Sequence, residues 1–357
     1  MATFRVALVT NAHDALIGPG LLARLGQLAL DAGLEAGRAA IVSDANVAGI
    51  YGEAVCAALR AAGFEPTLIE VPAGESSKSL AILERVYERL TAAEVDRRSA
   101  IFALGGGVVG DLAGFAAATY LRGLPLVQLP TTLVAQVDSA LGGKTAVNAH
   151  TAKNLIGAFY QPRLIVADTS ALVTLPERVF REGLAEVIKY GAIMEASFID
   201  WLERAMPAIL ARDPATLEQV VDRSLRHKAF VVTSDEREGG LRKILNFGHT
   251  LGHALESSAG YGTYFHGEAV AIGMVAATRL SNRYAGFSAA EASRLERLIA
   301  AAGLPTAMPD GWRNEEFLQA LRLDKKRVGG GVEFVLLDRL GHAVTRRLTF
   351  DQITSAA

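Results

Sequence analysis

The chain has 357 residues, half of them apolar, and a formal net charge of −2. This length allows two domains that each bury a core, and no apolar run approaches the ~20 residues that span a bilayer. The near-neutral charge argues against nucleic-acid binding, although a local group of cations can still bind an anionic small molecule. Without signal-peptide features and with one cysteine, Cys56, the sequence predicts a cytoplasmic protein with a buried helical thiol.

Residues 1–175 alternate short apolar runs with amphipathic stretches such as residues 47–63 and 79–94. Strands with near-continuous apolar character, separated by helices, are typical of a mostly parallel sheet covered on both faces. We therefore predict an α/β, Rossmann-like domain. The predicted strands are residues 4–9, 40–45, 66–71, 99–104, 124–130 and 163–168.

A glycine-rich turn, Gly105–Asp111, follows one predicted strand and begins a helical stretch. Such turns let backbone N–H groups approach a pyrophosphate at a helix N-terminus. The motif alone is weak, because no acidic residue follows at the spacing that holds a ribose, and a turn without a ligand remains an alternative. Asp44, after an earlier strand, is the acidic residue that fits instead. Other ligand candidates that follow strands are Glu75, Lys78, Thr131 and Thr132.

Residues 138–154 are too rich in small and polar side chains to predict a core element. Single lysines are usually solvated, but here several cations accompany glycines after successive strands. Such a cluster can neutralise and hydrogen-bond a phosphate, so we predict an anion site. Its candidate residues are Arg122, Asp138, Lys144, Lys153 and Asn154.

From residue 175 onward the apolar residues follow helical three-to-four spacing, at residues 176–193, 197–212, 214–232 and 267–286. Short strands are predicted again only at residues 332–337 and 342–348. Pro176 is well placed to begin a helix. We therefore predict an α/β domain over residues 1–175 and a mostly α-helical domain over residues 176–357.

Histidines are concentrated in the helical part of the chain. Asn246, His249 and His253 lie at i, i+3 and i+7, which predicts one face of a helix. His266 begins the next predicted helix. The spacing from His249 to His253 resembles a metalloprotease motif without its catalytic glutamate, which disfavours peptide hydrolysis.

Upstream, Glu186 and Lys189 lie one turn apart in an apolar helix. A carboxylate and two imidazoles that leave one position open form a common catalytic zinc or cobalt site. The alternative without a metal has histidines bonded to helix carbonyls and Glu186 paired with Lys189. Spacing does not decide which two of the three histidines would bind the metal.

Together these segments resemble the 3-dehydroquinate synthase family over almost the whole chain. The family has an N-terminal NAD-binding α/β domain and a helical C-terminal domain, and is commonly homodimeric. The resembling stretches, in chain order, are GGGVVGDLAGFAAATYLRG, LPTTLVAQVDSALGGKTAVN, KNLIGAFYQP, TLPERVFREGLAEVIKYG, SDEREGGLRKILNFGHTLGHALE, HGEAVAIGM and LDKK.

The resemblance implies the conversion of 3-deoxy-D-arabino-heptulosonate 7-phosphate into 3-dehydroquinate and phosphate, a step of the shikimate pathway. The substrate would be oxidised transiently with NAD, lose phosphate by β-elimination, be reduced again, open its ring and close by an aldol reaction. The implied cofactors are NAD and a divalent metal, zinc or cobalt.

The resemblance also implies residue roles. Glu186, His249 and His266 would bind the metal, which places His253 in the substrate site. Residues around NAD would be Asp44, Glu75, Lys78, Gly107, Val108, Val109, Gly110, Asp111, Thr131, Thr132, Lys144, Lys153 and Thr174. Substrate and catalytic residues would be Arg122 (from a neighbouring subunit), Asp138, Lys144, Asn154, Lys189, Lys228, Arg242, Asn246, His253 and Lys325, preferred over Lys326.

Two positions depart from the family pattern: Ala152 stands where a glycine usually precedes Lys153, and Leu251 replaces a common phenylalanine. Three rival functions are another sugar phosphate cyclase acting on sedoheptulose 7-phosphate, a metal-dependent polyol dehydrogenase, and a non-catalytic binding protein. The family-like residues Lys228, Arg242 and Asn246 favour the dehydroquinate reaction over the first.

Overall fold

The computed structural model describes residues 1–8, 11–149, 152–260, 263–323, 327–328 and 331–356. The chain divides into two compact units. The first contains Met1–Leu175 and Leu217–Thr233, and the second contains Pro176–Thr216 and Ser234–Ala357. The predicted domain ranges differ from this division in one segment, residues 217–233, which belong to the first unit.

The first unit is built on a sheet of seven strands within the described residues, in the order β1-β2-β9-β6-β5-β3-β4. Strands β1 and β2 are antiparallel and every other neighbouring pair is parallel, so the predicted α/β class with a mostly parallel sheet is confirmed. Strands β7 and β8 form a separate antiparallel hairpin. The strands are β1 (Ala2–Val6), β2 (His13–Gly18), β3 (Arg38–Asp44), β4 (Glu65–Val71), β5 (Ala100–Gly105), β6 (Leu126–Pro130), β7 (Lys144–Ala149), β8 (Ala152–Phe159) and β9 (Leu164–Asp168).

Helices cover both faces of this sheet, which explains the continuous apolar runs. On β5, Phe102 and Leu104 belong to the core on one face, whereas Ile101 and Ala103 belong to the core on the other. A strand buried on both sides has no polar face, so its sequence shows no alternation. The helices that precede residue 176 are α1 (Leu25–Asp31), α2 (Ala45–Val47), α3 (Glu53–Ala61), α4 (Leu80–Ala92) and α5 (Gly107–Thr119). Cys56 on α3 is buried, as predicted.

Strand β2 and the β7–β8 hairpin were not predicted. The hairpin contributes Val147, which is buried, and Ile156, which is partly buried, to the core. The opposite side of β8 exposes Leu155 and Phe159. Alternation interrupted by alanine, asparagine and glycine gives no readable period-two pattern.

The second unit is mostly helical and includes a small antiparallel sheet, β10-β11-β12. Its central helix α10 is buried on nearly every side over residues 267–281, because α6, α9 and β11 pack against it. No helix in the described part of the chain has the length and apolar character to cross a membrane. The remaining elements of the chain are α6 (Glu177–Met194), α7 (Ala196–Leu210), α8 (Pro214–Ser234), α9 (His249–Ser258), α10 (His266–Ala285), α11 (Ala289–Ala301), α12 (Glu315–Leu323), β10 (Arg327–Val328), β11 (Gly331–Arg339), β12 (His342–Leu348) and α13 (Phe350–Ala356).

Candidate active site

The predicted cofactor residues lie along one edge of the parallel sheet. Parallel strands end at the same edge, and the winding of this sheet reverses between β3 and β5, where ligands of such folds bind. Strand β3 ends at Asp44, and β5 ends at Gly105, directly before the glycine turn. The other predicted cofactor residues at this edge follow β4 (Glu75 and Lys78), β6 (Thr131 and Thr132) and β9 (Thr174).

The glycine turn opens α5, as predicted, with Gly106 at the N-cap and Gly107 as the first helical residue. A Cβ atom on Gly107 would come within 3.0 Å of the Ser139 hydroxyl. No side chain caps this helix, so its first N–H groups are left to a ligand. The helix that follows runs from Gly107 through Val108, Val109 and Gly110 to Asp111 and beyond. Such an N-terminus is suited to a pyrophosphate.

Asp44 lies where a ribose ligand was predicted, but it also has a structural role. Its Oδ1 accepts hydrogen bonds from the backbone N–H groups of Asn46 at 3.0 Å and Val47 at 3.2 Å, which caps the helix that begins at Ala45. Only one of its two carboxylate oxygens takes part in this cap. Asp44 therefore presents a fixed carboxylate at the sheet edge.

Lys78 is the centre of a polar network at the same edge. Its buried ammonium lies 2.6 Å from Asp111 Oδ2 and 3.9 Å from Glu75 Oε1, and it also donates to Asn154 Oδ1. The Asn148 side chain joins two members of this network: it donates to Glu75 Oε1 at 2.8 Å and accepts from the Asn154 backbone N–H at 2.9 Å. Burial raises the pKa of Asp111, and the Lys78 ammonium opposes that rise.

The residues predicted for the anion and substrate sites differ in their surroundings. Lys228 on α8 lies 2.8 Å from Asp138 Oδ1, and also donates to the Asp138 carbonyl at 2.5 Å. Asn154 adopts a left-handed φ of 53°, which asparagine tolerates better than most residues. Lys144 begins β7 and is exposed, and Lys153 is half-buried on β8. Arg122 is exposed in a turn, with a φ of 70°.

The threonines of this edge differ in their surroundings. Thr131 is buried, whereas the hydroxyl of Thr132 accepts the backbone N–H of Ala135 at 3.2 Å. Thr174 is exposed, and its hydroxyl lies 2.8 Å from that of Tyr51, a residue the sequence did not single out.

In the second unit, the predicted helix face needs a correction. Asn246 ends a 3₁₀ turn, Leu241–Asn246, and α9 begins only at His249. Gly248 between them has a φ of 79°, which breaks the helical path. His249 and His253 do share a helix face, but the prediction that Asn246 lies on the same helix was wrong.

Glu186 and the histidines converge inside this unit. Glu186 is fully buried on α6, and its Oε1 lies 3.4 Å from His249 Nε2 and 3.5 Å from His266 Nε2. Its Oε2 forms an ion pair with the buried ammonium of Lys189, one turn along the same helix. The Glu186 carboxylate therefore makes both contacts that the sequence left as alternatives. It forms an ion pair with Lys189, and it faces two imidazoles.

The rings of His249 and His266 are each oriented by a hydrogen-bond acceptor at Nδ1. His249 Nδ1 lies 3.2 Å from the Phe247 carbonyl oxygen, and His266 Nδ1 lies 3.3 Å from Glu256 Oε2. An acceptor at Nδ1 keeps the proton there and leaves Nε2 as a lone-pair donor, the arrangement usual behind metal-bound histidines. Glu256 was missed by the sequence analysis, although its spacing of seven from His249 places it on the same face of α9.

His253 completes a three-histidine cluster whose donor nitrogens all lie within 4.8 Å of one another. Its ring centre is 5.2 Å from that of His249 and 5.6 Å from that of His266. His253 is exposed, whereas His249 is buried. Distance alone would admit all three imidazoles as metal ligands, and the two that Glu186 Oε1 faces are those of His249 and His266.

The buried groups of this cluster shift one another's pKa values. Burial alone would raise the pKa of Glu186, but Lys189 and His249 hold it well below its usual range. Burial, followed by the Lys189 charge, lowers the pKa of His249. Burial would also lower the pKa of His266, yet the Glu186 and Glu256 carboxylates raise it to about 10.

These residues fit a divalent metal. Both Glu186 carboxylate oxygens are buried without a well-formed hydrogen bond in the described part of the chain, which is costly for an ionised group. A carboxylate oxygen within 3.5 Å of two imidazole nitrogens is a donor set that zinc and cobalt take in catalytic sites.

Glycines allow the three helices to approach closely enough to form this site. A Cβ atom on Gly267, next to His266, would overlap the backbone oxygen of Glu182 on α6. One on Gly252 of α9 would come within 2.9 Å of the Ala269 carbonyl oxygen on α10. The helices that carry Glu186, His249 and His266 are therefore in backbone contact, which fixes the distances between the donors.

The remaining predicted substrate residues of this unit lie nearby in sequence. Arg242 is buried and donates to the Glu236 carbonyl at 2.5 Å. Asn246 donates to Glu238 Oε1 and to the Lys243 carbonyl, both at 3.2 Å. Lys325 and Lys326 lie outside the described residues.

Comparisons with known proteins show the family to which the chain belongs. The family model described as 3-dehydroquinate synthase N-terminal matches residues 68–182, and the one described as 3-dehydroquinate synthase C-terminal matches residues 183–327. A 3-dehydroquinate synthase of Pelobacter propionicus is 51% identical over 353 residues, covering 99% of this chain and 98% of the relative. One from Citrifermentans bemidjiense is 49% identical over 345 residues, covering 97% and 95%.

Solved structures are also similar. ValA, a 2-epi-5-epi-valiolone synthase from Streptomyces hygroscopicus subsp. jinggangensis 5008 with NAD⁺ and Zn²⁺ bound, gives a TM-score of 0.88 at 30% identity, covering 98% of this chain and 97% of that one. A 2-deoxy-scyllo-inosose synthase complexed with carbaglucose-6-phosphate, NAD⁺ and Co²⁺ gives 0.88 at 27% identity, covering 99% and 98%. Glycerol dehydrogenase from Schizosaccharomyces pombe shares the fold alone. Its TM-score is 0.62 at 19% identity, covering 96% of this chain and 87% of that one.

The contact between Glu256 and His266 leads to a first prediction. Glu256→Gln weakens the acceptor at His266 Nδ1, so we expect zinc affinity to fall by about 10- to 100-fold. The measurement is zinc affinity by competition with a chromogenic chelator. Glu84→Gln, on the exposed face of α4, is the matched control and should leave the affinity unchanged. Equal zinc affinity in Glu256→Gln and wild type would show that Glu256 does not support the metal ligand.

Proposed function

The chain belongs to the 3-dehydroquinate synthase family, and we propose that the residues described above carry out the family's reaction, the conversion of 3-deoxy-D-arabino-heptulosonate 7-phosphate into 3-dehydroquinate and phosphate. The observation that carries the proposal is the convergence of Glu186, His249 and His266 beside the buried Lys189. The sheet edge of the first unit supplies the features of a dinucleotide site.

NAD, when bound, takes a hydride from a substrate carbon and later returns it, so the reaction has no net oxidation. We assign its pyrophosphate to the N-terminus of α5, whose first N–H groups are open at Gly107. Asp44 would accept from ribose hydroxyls, since its carboxylate is fixed by the helix cap. The Lys78 network would hold the β7–β8 hairpin against the same edge. We also place Thr131, Thr132, Lys153 and Thr174 around this cofactor.

Zinc or cobalt, when bound, acts as a Lewis acid on a substrate hydroxyl oxygen. Glu186, His249 and His266 would hold the metal, with the Phe247 carbonyl and Glu256 fixing the tautomers of the two imidazoles. We assign His253 to the open side of this centre, a role supported by its exposure. There its imidazole would hydrogen-bond a substrate hydroxyl.

The cationic residues suit a substrate with a carboxylate and a phosphate. An ammonium or guanidinium held in place by neighbouring groups stabilises developing negative charge without reorganising. Such a site, rich in cations, agrees with a reaction in which the leaving phosphate accepts the proton of its own elimination. The residues we assign to this role are Lys144, Asn154, Lys189, Lys228, Arg242, Asn246 and Lys325, with Asp138 orienting Lys228.

Phosphate release tests the proposed reaction. The purified protein, with the heptulosonate phosphate, catalytic NAD and zinc or cobalt, should release inorganic phosphate without a lasting increase in nicotinamide absorbance. Chelation of the metal should abolish release, and metal addition should restore it. Release from sedoheptulose 7-phosphate but not from the heptulosonate would establish the rival cyclase, whereas accumulating NADH would indicate a polyol dehydrogenase.

The assignment of the metal ligands is tested by two alanine variants on α9. His249→Ala removes a donor that faces Glu186, so both metal content and turnover should be lost. His253→Ala should keep the metal and lose turnover. Elemental analysis after dialysis gives the metal content of each. Full metal content in His249→Ala, or loss of metal in His253→Ala, would contradict the assignment.

We further propose that the enzyme is a homodimer in which Arg122 reaches the phosphate in the neighbouring subunit. Arg122 is exposed and held in the left-handed region of φ, so it projects from a fixed turn. Leu155 and Phe159 expose about half of their surface on one face of β8, an apolar stripe suited to a second copy. The base of that hairpin contacts the same turn, since Tyr160 donates to the Leu124 carbonyl at 2.7 Å.

Subunit complementation tests the role of Arg122. Arg122→Ala and Lys189→Ala homodimers should both be inactive, and reassembly of an equal mixture should restore about a quarter of wild-type activity, because half of the dimers then contain one intact site. The matched control mixes Lys189→Ala with His249→Ala, which leaves no intact site. If heterodimers form, as seen by native mass spectrometry, yet the first mixture stays inactive, Arg122 acts within its own subunit.

We also propose that the enzyme works in the cytoplasm. Cys56 is the only cysteine and is buried, and burial raises the pKa of its thiol. A buried, protonated thiol is unreactive, and a single cysteine forms no internal disulfide. Both properties fit a reducing compartment.

A further inference from the structure

Strands β6 and β9 separate before they reach the carboxyl edge of the sheet. Their ladder contains only the pairs Val127–Leu164 and Gln128–Ile165. On their outer sides both strands remain paired to their last residues, β6 with β5 up to Pro130 and β9 with β2 up to Asp168. The sheet therefore opens into a fork between the ends of β6 and β9.

The side chain of Gln136 fills this fork. It is fully buried, and its amide Nε2 donates to the carbonyl of Pro130 at 3.0 Å and to that of Asp168 at 2.8 Å. These two carbonyls belong to the last residues of β6 and β9. A single side-chain amide thus replaces the backbone bonds that the ladder lacks at this edge.

No other side chain among the described residues is seen to bridge the fork. The hydroxyls of Thr131 and Thr169, which follow the two strand ends, are buried and have no hydrogen-bond partner in the described part of the chain. Asp168 is anchored on its far side, because its carboxylate accepts the backbone N–H groups of Gly20 and Leu22, each at 2.9 Å. Gln136 is therefore the link between the end of β6 and a strand that is already fixed.

Both loops that leave the fork carry residues assigned to NAD. Thr131 and Thr132 follow Pro130 directly, and the helical turn Thr169–Thr174 follows Asp168. The distance between the two loops is set where the strands end. A change of that distance would move hydrogen-bonding groups on both sides of a bound dinucleotide.

We propose that Gln136 is a positioning residue for NAD, which acts by holding the β6 and β9 loops at a fixed separation without touching the cofactor. The inference rests on the proposed assignment of Thr131, Thr132 and Thr174 to the NAD site. Neither amide hydrogen of Gln136 is available to a ligand, since both strand carbonyls use them.

Gln136→Met tests this role, because methionine has a similar length and no donor. We expect the dissociation constant of NAD to rise about tenfold, as for the loss of a bridging pair of buried hydrogen bonds. The turnover number at saturating NAD should change by less than about threefold, and the zinc affinity should be unchanged. The measurements are calorimetric titration of the zinc-loaded enzyme with NAD and steady-state kinetics with varied NAD. A lower melting temperature with an unchanged NAD dissociation constant would overturn the proposal.

A matched control removes a comparable pair of hydrogen bonds in the other unit. Ser281 in the second unit is buried, donates to the Ala277 carbonyl at 2.6 Å and accepts the Leu337 N–H at 2.9 Å. Ser281→Ala should lower the melting temperature without changing NAD binding. If Gln136→Met does not fold, Gln136→Asn keeps the amide but cannot bridge both carbonyls. A folded Gln136→Asn with wild-type NAD affinity would also overturn the proposal.

Thr132→Val separates this inference from the assignment on which it rests. If Thr132→Val weakens NAD binding and Gln136→Met does not, Gln136 has no positioning role and the NAD assignment stands. If Thr132→Val leaves NAD binding unchanged, the assignment of the β6 loop is wrong, and the proposal for Gln136 fails with it. Weaker binding in both variants, with Ser281→Ala unaffected, supports both.

Discussion

The carboxylate of Glu186 has no exposed surface, and the second unit is organised around the cost of burying it. An ionised carboxylate in a protein interior is tolerated only when opposite charge and hydrogen-bond donors surround it. Here one oxygen pairs with Lys189 and the other faces two imidazoles. Because an aliphatic residue would fill the same space at no electrostatic cost, the buried charge supports the proposed use of Glu186 as a cation ligand.

The proposed metal centre also constrains the backbone. Its donors must lie at fixed separations. Because they come from three different helices, the helices themselves must be in contact. Glycine at positions 252 and 267 removes the side chains that would hold α9 and α6 away from α10. These two glycines thus allow the helices to bring a carboxylate and two imidazoles together. The first unit also buries a charge among polar partners: the ammonium of Lys78 contacts Asp111, Asn154 and Glu75.

The sequence predicted the features that depend on local pattern. The strands buried on both faces, the helix after Gly105–Asp111 and the helix that carries Glu186 all follow from apolar periodicity and glycine placement. It failed where a pattern is interrupted: Gly248 ends the helical path between Asn246 and His249, and the β7–β8 hairpin hides its alternation among small residues. Glu256 could have been predicted from the sequence, since it continues the helix face of His249 and His253. The fork at Gln136 could not have been predicted, because the separation of two strands depends on tertiary pairing.

The hydrogen-bond acceptors at the Nδ1 atoms support the proposed choice of His249 and His266 as metal ligands. Spacing left open which two of the three histidines would bind a metal, and the cluster distances admit all three rings. The Nδ1 atoms of His249 and His266 each have an acceptor behind them, which turns both Nε2 lone pairs toward Glu186 Oε1. Because α9 carries His249, His253 and Glu256 on one face, this single helix provides one imidazole for Glu186, one exposed imidazole beside it, and the carboxylate that orients His266. A shift of α9 would therefore move all three groups together, so the ligand and the group proposed for substrate contact stay in register.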